Sequence, residues 1–98
     1  MEISGYDWDD VNLEKLELHE LTPEDVEHLF EQGHPYVFRH PSIMGRWVAL
    51  GFAPDERFVL VVFEHDGETR WVRVVTAYEP DSERYWRLYE KKKRVQEG

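Results

Sequence analysis

His40, Arg46, Arg73, Tyr78 and Arg84 are the residues of this chain whose types could act on a phosphodiester without a metal. That chemistry needs a base to activate a hydroxyl, cations to offset the charge of a five-coordinate phosphate, and an acid to protonate the leaving oxygen. Histidine can serve as base or acid. Arginine is the natural phosphate clamp, because its planar fork donates two parallel hydrogen bonds and keeps its charge. Tyr78 can act as a weak acid or stack on a nucleobase. Each residue also has a plain structural reading. Arg73 reads as half of a cross-strand ion pair with Glu64 or another acid, and Arg46 as a solvated residue at a strand start. His40 reads as a surface histidine of an edge strand, and Tyr78 as a packing residue with its hydroxyl at the rim. Arg84 falls in the first turn of a helix, where a cation is unfavourable, which suggests a partner such as Asp81 or an outside anion.

The elements that must position these residues follow from periodicity. Trp8, Val11 or Asn12, Lys15 and Leu16 lie near 3.6-residue spacing, and Asp7 or Asp9 can cap that short helix. The segment from Leu21 to Phe30 predicts a second helix with Thr22 as N-cap, Pro23 at its first position and Asp25 in a capping-box place. Its buried stripe is Val26, Leu29 and Phe30, and Gly33 with Pro35 stops it. From Tyr36 the period becomes two. Tyr36 to His40 predicts an edge strand before Pro41, and Arg46 to Phe52 a second strand with Val48, Leu50 and Phe52 on one face. Phe58 to Phe63 is apolar on both faces and predicts the central strand. Asp66-Gly67 closes a hairpin to a last strand, Arg70 to Tyr78. Asp81 or Ser82 can cap a final helix that runs to the basic end Lys91 to Arg94.

The order α-α-β-β-β-β-α predicts one α+β domain over residues 1–98, an antiparallel four-stranded sheet with helices on one face. Strict alternation along the last strand places Val72, Val74, Thr76 and Tyr78 on one face and Trp71, Arg73, Val75 and Ala77 on the other. Arg73 and Tyr78 then share a face only if a bulge intervenes.

Ninety-eight residues, 41% of them hydrophobic and 14% aromatic, supply one core. With no cysteine, and with His19, His28, His34, His40 and His65 too scattered for a ligand set, no metal and no cofactor is expected. No stretch resembles a signal peptide or a membrane span, which predicts a cytoplasmic protein without membrane association. The net charge is −9, and it is uneven. Residues 1–35 hold eleven acids and one base, net −10, whereas residues 36–98 hold ten acids and eleven bases, net +1. The total repels a polyanion at long range. The acidic third reads either as a solvated helical face or as a surface for a basic partner.

Several motifs in order resemble the BrnT toxin family, small proteins with a RelE-like ribonuclease fold. Trp8-Asp9 with Asn12 and Lys15 resembles the family's Trp-Asp, Asn and Lys pattern, and Leu21 to Phe30 its Glu-rich capped helix. Gly45-Arg-Trp-Val-Ala-Leu-Gly51 is similar to its Arg-Tyr-x-x-x-Gly strand. Leu60 to Phe63 with Val72 to Ala77 is similar to its closing hairpin, and Glu83-Arg84-Tyr85 to the start of its last helix. The resemblance spans nearly the whole chain. It implies a metal-independent endoribonuclease toxin, acting on RNA and neutralised by a small antitoxin-like protein, with a homo-oligomer compatible. Tyr78 stands where the family carries an arginine after Ser/Thr-Ala. That departure supports a second reading, a non-catalytic relative that serves as a protein-binding or regulatory module.

Overall fold

The computed structural model describes residues 1–97 and shows three helices around one five-stranded mixed sheet. In chain order the elements are β1 (Gly5–Asp7), α1 (Asp10–Leu18), α2 (Pro23–Gln32), β2 (Tyr36–Arg39), β3 (Trp47–Phe52), β4 (Phe58–His65), β5 (Trp71–Tyr78) and α3 (Glu83–Glu97). The strands lie in the order β1-β5-β4-β3-β2. The α+β class and the four long strands are as the sequence predicts, and β4 is the central strand.

Two expectations need correction. The sheet has a fifth strand, β1, which runs parallel to β5 with Gly5 opposite Trp71 and Asp7 opposite Arg73. Three residues beside a helix start are too few to show a period of two, so periodicity alone passes over them. The helices also do not share a face. Val59, Val61 and Phe63 of β4 pack with Leu16, Val26 and Leu29 of α1 and α2, whereas Leu60 packs with Val48, Leu50 and Tyr89 of α3. A strand apolar on both faces must have both covered, because each fully buried Val, Leu or Phe contributes about 1.5–3 kcal/mol. The apolar run of β4 therefore requires a third layer, and α3 supplies it.

Local chemistry sets the helix ends. Asp9 caps α1: its carboxylate accepts the Asn12 N–H at 2.9 Å, and the Asn12 side-chain oxygen accepts the Asp9 N–H at 2.7 Å. Asn12 is buried, and its amide also donates to the Asp7 carbonyl at 3.2 Å, so one side chain ties β1 to α1. Burial thus selects Asn12 and Leu16, and leaves Val11 exposed. In α2 the Thr22 hydroxyl accepts the Asp25 N–H and the Asp25 carboxylate accepts the Thr22 N–H. At the other end, Gly33 has an ordinary φ of −85°, but a Cβ there would stand 2.4 Å from the Phe52 carbonyl oxygen. Glycine is needed for this close approach of α2 to β3, not for a left-handed turn.

Between β4 and β5 the turn is not a two-residue Asp-Gly turn. Asp66 to Arg70 form the loop; the Asp66 carboxylate accepts the N–H groups of Glu68 and Thr69, and Arg70 takes the left-handed position at φ 62°. On the other side of the sheet α3 is pinned between Trp86 and Lys93. The Tyr89 hydroxyl donates to the His34 carbonyl at 2.7 Å, Lys93 donates to the Pro35 carbonyl at 3.2 Å, and Trp86 and Tyr89 pack edge-on against Phe52 and Phe58.

Tyr6 carries a titratable signature of this packing. Burial first, then the carboxylates of Glu31 and Glu27, push its phenol up to about 12 from an ordinary 10.0. The folded state holds that proton more tightly than the unfolded chain, so its contribution is fully present below pH 10.0 and is lost as pH rises towards about 12. Tyr6→Phe is expected to remove part of the alkaline loss of stability, measured by urea unfolding at successive pH values. An unchanged pH dependence would assign that loss to other groups.

Candidate functional site

The site begins with a miscount between strands. Across β4 and β5, Val62 pairs with Thr76 but Phe63 pairs with Val74, so Val75 has no partner and forms a bulge. Before it, Val72 and Val74 face the α1/α2 core, and after it Ala77 does. Alternation is shifted by one across the bulge, so Arg73, Thr76 and Tyr78 all fall on the α3 face. The condition that the sequence set for Arg73 and Tyr78 to share a face is met.

On that face α3 covers only part of the sheet. It is anchored from Trp86 to Lys93 against Phe52, Phe58 and the carbonyls of His34 and Pro35. A groove of about 600 Å³ opens on the same face, with Tyr78, Leu60 and Val62 as floor, Arg84, Tyr85 and Leu88 as one wall, and Phe38 with the turn His40 to Ser42 as the other. Three of the five candidates, His40, Tyr78 and Arg84, thus line one groove. Arg46 lies just across the same turn. It lines a second concavity of about 300 Å³ with Arg39 and Trp47, and the two concavities share His40, Pro41 and Ser42.

Arg73 is on the groove's face but not in the groove. It lines a separate hollow beside Glu64, Asp66 and Trp71, and its guanidinium reaches Glu64 at 3.7 Å and Asp9 at 3.5 Å. Glu64 is its direct cross-strand neighbour. The Asn12 backbone N–H, aided by Arg73, holds the Asp9 carboxyl below its usual range. Arg73 is thus an ion-paired surface residue in this structure.

Hydrogen bonding fixes what the groove residues can do. His40 Nδ1 accepts the backbone N–H groups of Ser42 at 3.1 Å and Ile43 at 3.0 Å. A neutral imidazole that accepts at Nδ1 carries its proton on Nε2. His40 therefore presents a proton donor, not a base, as long as this turn is intact. Burial, then Tyr85 and Asp81, raises the Tyr78 phenol above its ordinary value, so it stays protonated near neutral pH. The His19 ring lies tilted against Tyr78, with centroids 5.8 Å apart. Arg84 donates to the Tyr85 hydroxyl at 3.1 Å and lies over its ring.

Charge pairing separates the arginines. Arg57 binds Asp25 and Asp55, Arg70 binds Glu2, Arg73 binds Asp9 and Glu64, Arg87 binds Glu83 and Arg94 binds Glu90. Among the described residues Arg39, Arg46 and Arg84 have no carboxylate within ion-pair distance, and all three flank the His40 turn. Arg39 instead stacks 4.8 Å from the centroid of Trp47, its cross-strand partner. Sequence reasoning passed over Arg39, Phe38 and Tyr85. The signal for Arg39 was present in the hairpin register, which sets it opposite Trp47.

No protein-family model matches this sequence, and no curated protein matches it.

The bulge is what turns Tyr78 into the groove: strict alternation with Val75 in the ladder would drive Tyr78 into the α1/α2 core in place of Ala77, an overpacking that typically costs about 1–3 kcal/mol. Because Val75 is the extra residue, deleting it sets Val74 directly before Thr76 and leaves Val72, Val74 and Ala77 on one face and Arg73, Thr76 and Tyr78 on the other. Chemical denaturation should therefore show a smaller loss for deleting Val75 than for deleting Arg73, which would put Val72 and Val74 on opposite faces. A larger loss for the Val75 deletion would mean that Val75 is not the extra residue.

Proposed function

We propose that the groove between α3 and the His40 turn binds single-stranded RNA, and that the chain is a BrnT-like toxin component. The observation that carries this reading is the placement of the three arginines without carboxylate partners. In a chain of net charge −9, cations are expected to find acids, and five of the eight arginines do so. Of the other three, Arg84 lines the groove with Phe38, Tyr78 and Tyr85, and Arg39 and Arg46 line the concavity that adjoins it across the His40 turn. Guanidinium groups bind phosphates and aromatic rings stack on unpaired bases, which is the usual composition of a single-strand site.

For cleavage, the groove supplies part of the required set. Arg84 can offset charge on a five-coordinate phosphate, and His40 Nε2–H and the Tyr78 hydroxyl can protonate a leaving 5′-oxygen. Among the described residues lining the groove, none is an unprotonated base. That observation favours the second reading, a non-catalytic relative that binds RNA or a protein without cutting. A protein partner has its own surface on α1. Val11 and Leu18 are 62% and 76% exposed, seven residues apart on one helix face, with Asp10, Glu14 and Glu17 around them. Their chemistry fits a small basic, antitoxin-like partner.

Fluorescence anisotropy with a labelled oligoadenylate tests binding. Each phosphate neutralised on a single strand contributes about −0.7 to the slope of log K against log salt, so three free arginines give a slope near −2. Arg84→Ala should weaken binding and bring the slope closer to zero by about 0.7, whereas Arg73→Ala should change neither by much. Absence of binding, or binding that ignores salt, would sink the RNA reading.

Incubating the protein with RNA in excess chelator separates the two chemistries. Fragments ending in cyclic phosphate, lost in Arg84→Ala, are the outcome expected of an endoribonuclease. Full-length RNA, still bound, is the outcome expected of the non-catalytic relative.

A further inference from the structure

The groove does not end at the His40 turn, and we infer that the site extends across that turn, so that its ligand is at least two nucleotides long. In this arrangement one base lies in the groove, and the neighbouring phosphate is held by Arg46 and Arg39 on the other side. The inference rests on the RNA reading above and adds a second subsite to it.

Three observations point to the extension. The groove and the adjoining concavity share His40, Pro41 and Ser42, so a chain leaving one enters the other over a single wall. That wall is well defined: two backbone N–H groups converge on His40 Nδ1, the His40 N–H donates to the Arg46 carbonyl at 2.9 Å, and Gly45 takes the left-handed conformation at φ 85° that closes the turn. Beyond the wall, the guanidinium of Arg39 is held over Trp47, and neither it nor Arg46 has a carboxylate partner among the described residues. A mononucleotide placed in the groove could use Arg84 but would leave both of these cations without an anion. A second phosphate on the same chain supplies it. At the tip of the turn Met44 is 99% exposed and Ile43 is 43% exposed, which offers the following base an apolar surface.

Each charge-assisted contact to a phosphate is expected to contribute about tenfold in affinity. Competition of adenosine 3′-monophosphate, the dinucleotide ApAp and hexa-adenylate against a labelled oligoadenylate measures this directly. The dinucleotide and hexanucleotide should bind about tenfold or more tighter than the mononucleotide. Arg46→Ala should remove most of that advantage and leave mononucleotide affinity unchanged, with Arg46→Lys intermediate because it keeps the charge without the fork. Arg84→Ala should weaken all three ligands. Equal affinities for the three, indifferent to Arg46→Ala, would overturn the second subsite and leave the groove standing. No binding of any of them would overturn the RNA reading and the subsite together. Unchanged unfolding curves for Arg46→Ala and Arg46→Lys would exclude misfolding as the cause.

Discussion

Val75, a residue with no cross-strand partner, decides which side chains of β5 meet which layer. A strand of strict alternation here would send either Ala77 or Tyr78 to the wrong side. The bulge lets Val72, Val74 and Ala77 all join the α1/α2 core while Tyr78 turns to α3. The register on either side is fixed by burial, because a one-residue slip would expose every apolar side chain of one face. A local irregularity can therefore persist only because β4, apolar on both sides, holds the strand on either side of it. The groove is a consequence of this arrangement.

The second constraint is where α3 is fastened. Tyr89 and Lys93 bond to the carbonyls of His34 and Pro35, and Trp86 and Tyr89 fill the space against Phe52 and Phe58. These anchors begin at Trp86. At the amino end Tyr85 packs partly buried against the Leu60 cluster, and Arg84 beside it stays exposed. Arg84 sits against the positive end of a helix and has no carboxylate partner among the described residues. Its hydrogen bond to Tyr85 and position over that ring hold the guanidinium in place without neutralising it.

Much of this architecture was legible in the sequence. The caps at Thr22 and Asp25, the central position of β4 and the alternation in β3 follow from local rules, because each rests on a few adjacent residues. Three features were not. β1 is three residues long, and its pairing with β5 depends on contacts far along the chain. The Val75 bulge leaves no composition signal, since a valine suits a regular strand equally well. The opposite placement of α3 follows from the two apolar faces of β4, which need cover on both sides, and not from the period of α3 itself. At the site, His40, Tyr78 and Arg84 were placed together only by the fold. Arg73, chosen for its type, is paired with Glu64, its cross-strand neighbour, as its plain reading had it.

The uneven charge reconciles a low pI with the proposed anion-binding groove. A total of −9 slows approach of a polyanion from a distance, but at ordinary salt that field decays over about 8–10 Å. Within that range the local arrangement governs, and the arginines beside the groove have no carboxylate partner among the described residues. The acids of α1 and α2 lie on the other layer, and they offer repulsion to RNA and attraction to a basic chain. A basic partner seated on α1 would cancel part of that long-range field and so ease the approach of a polyanion, while the contacts within the groove stay with its own arginines. Competition between the two would require the partner to reach around the sheet to the His40 turn, and α1 and that turn lie against different strands, β5 for the helix and the β2–β3 hairpin for the turn.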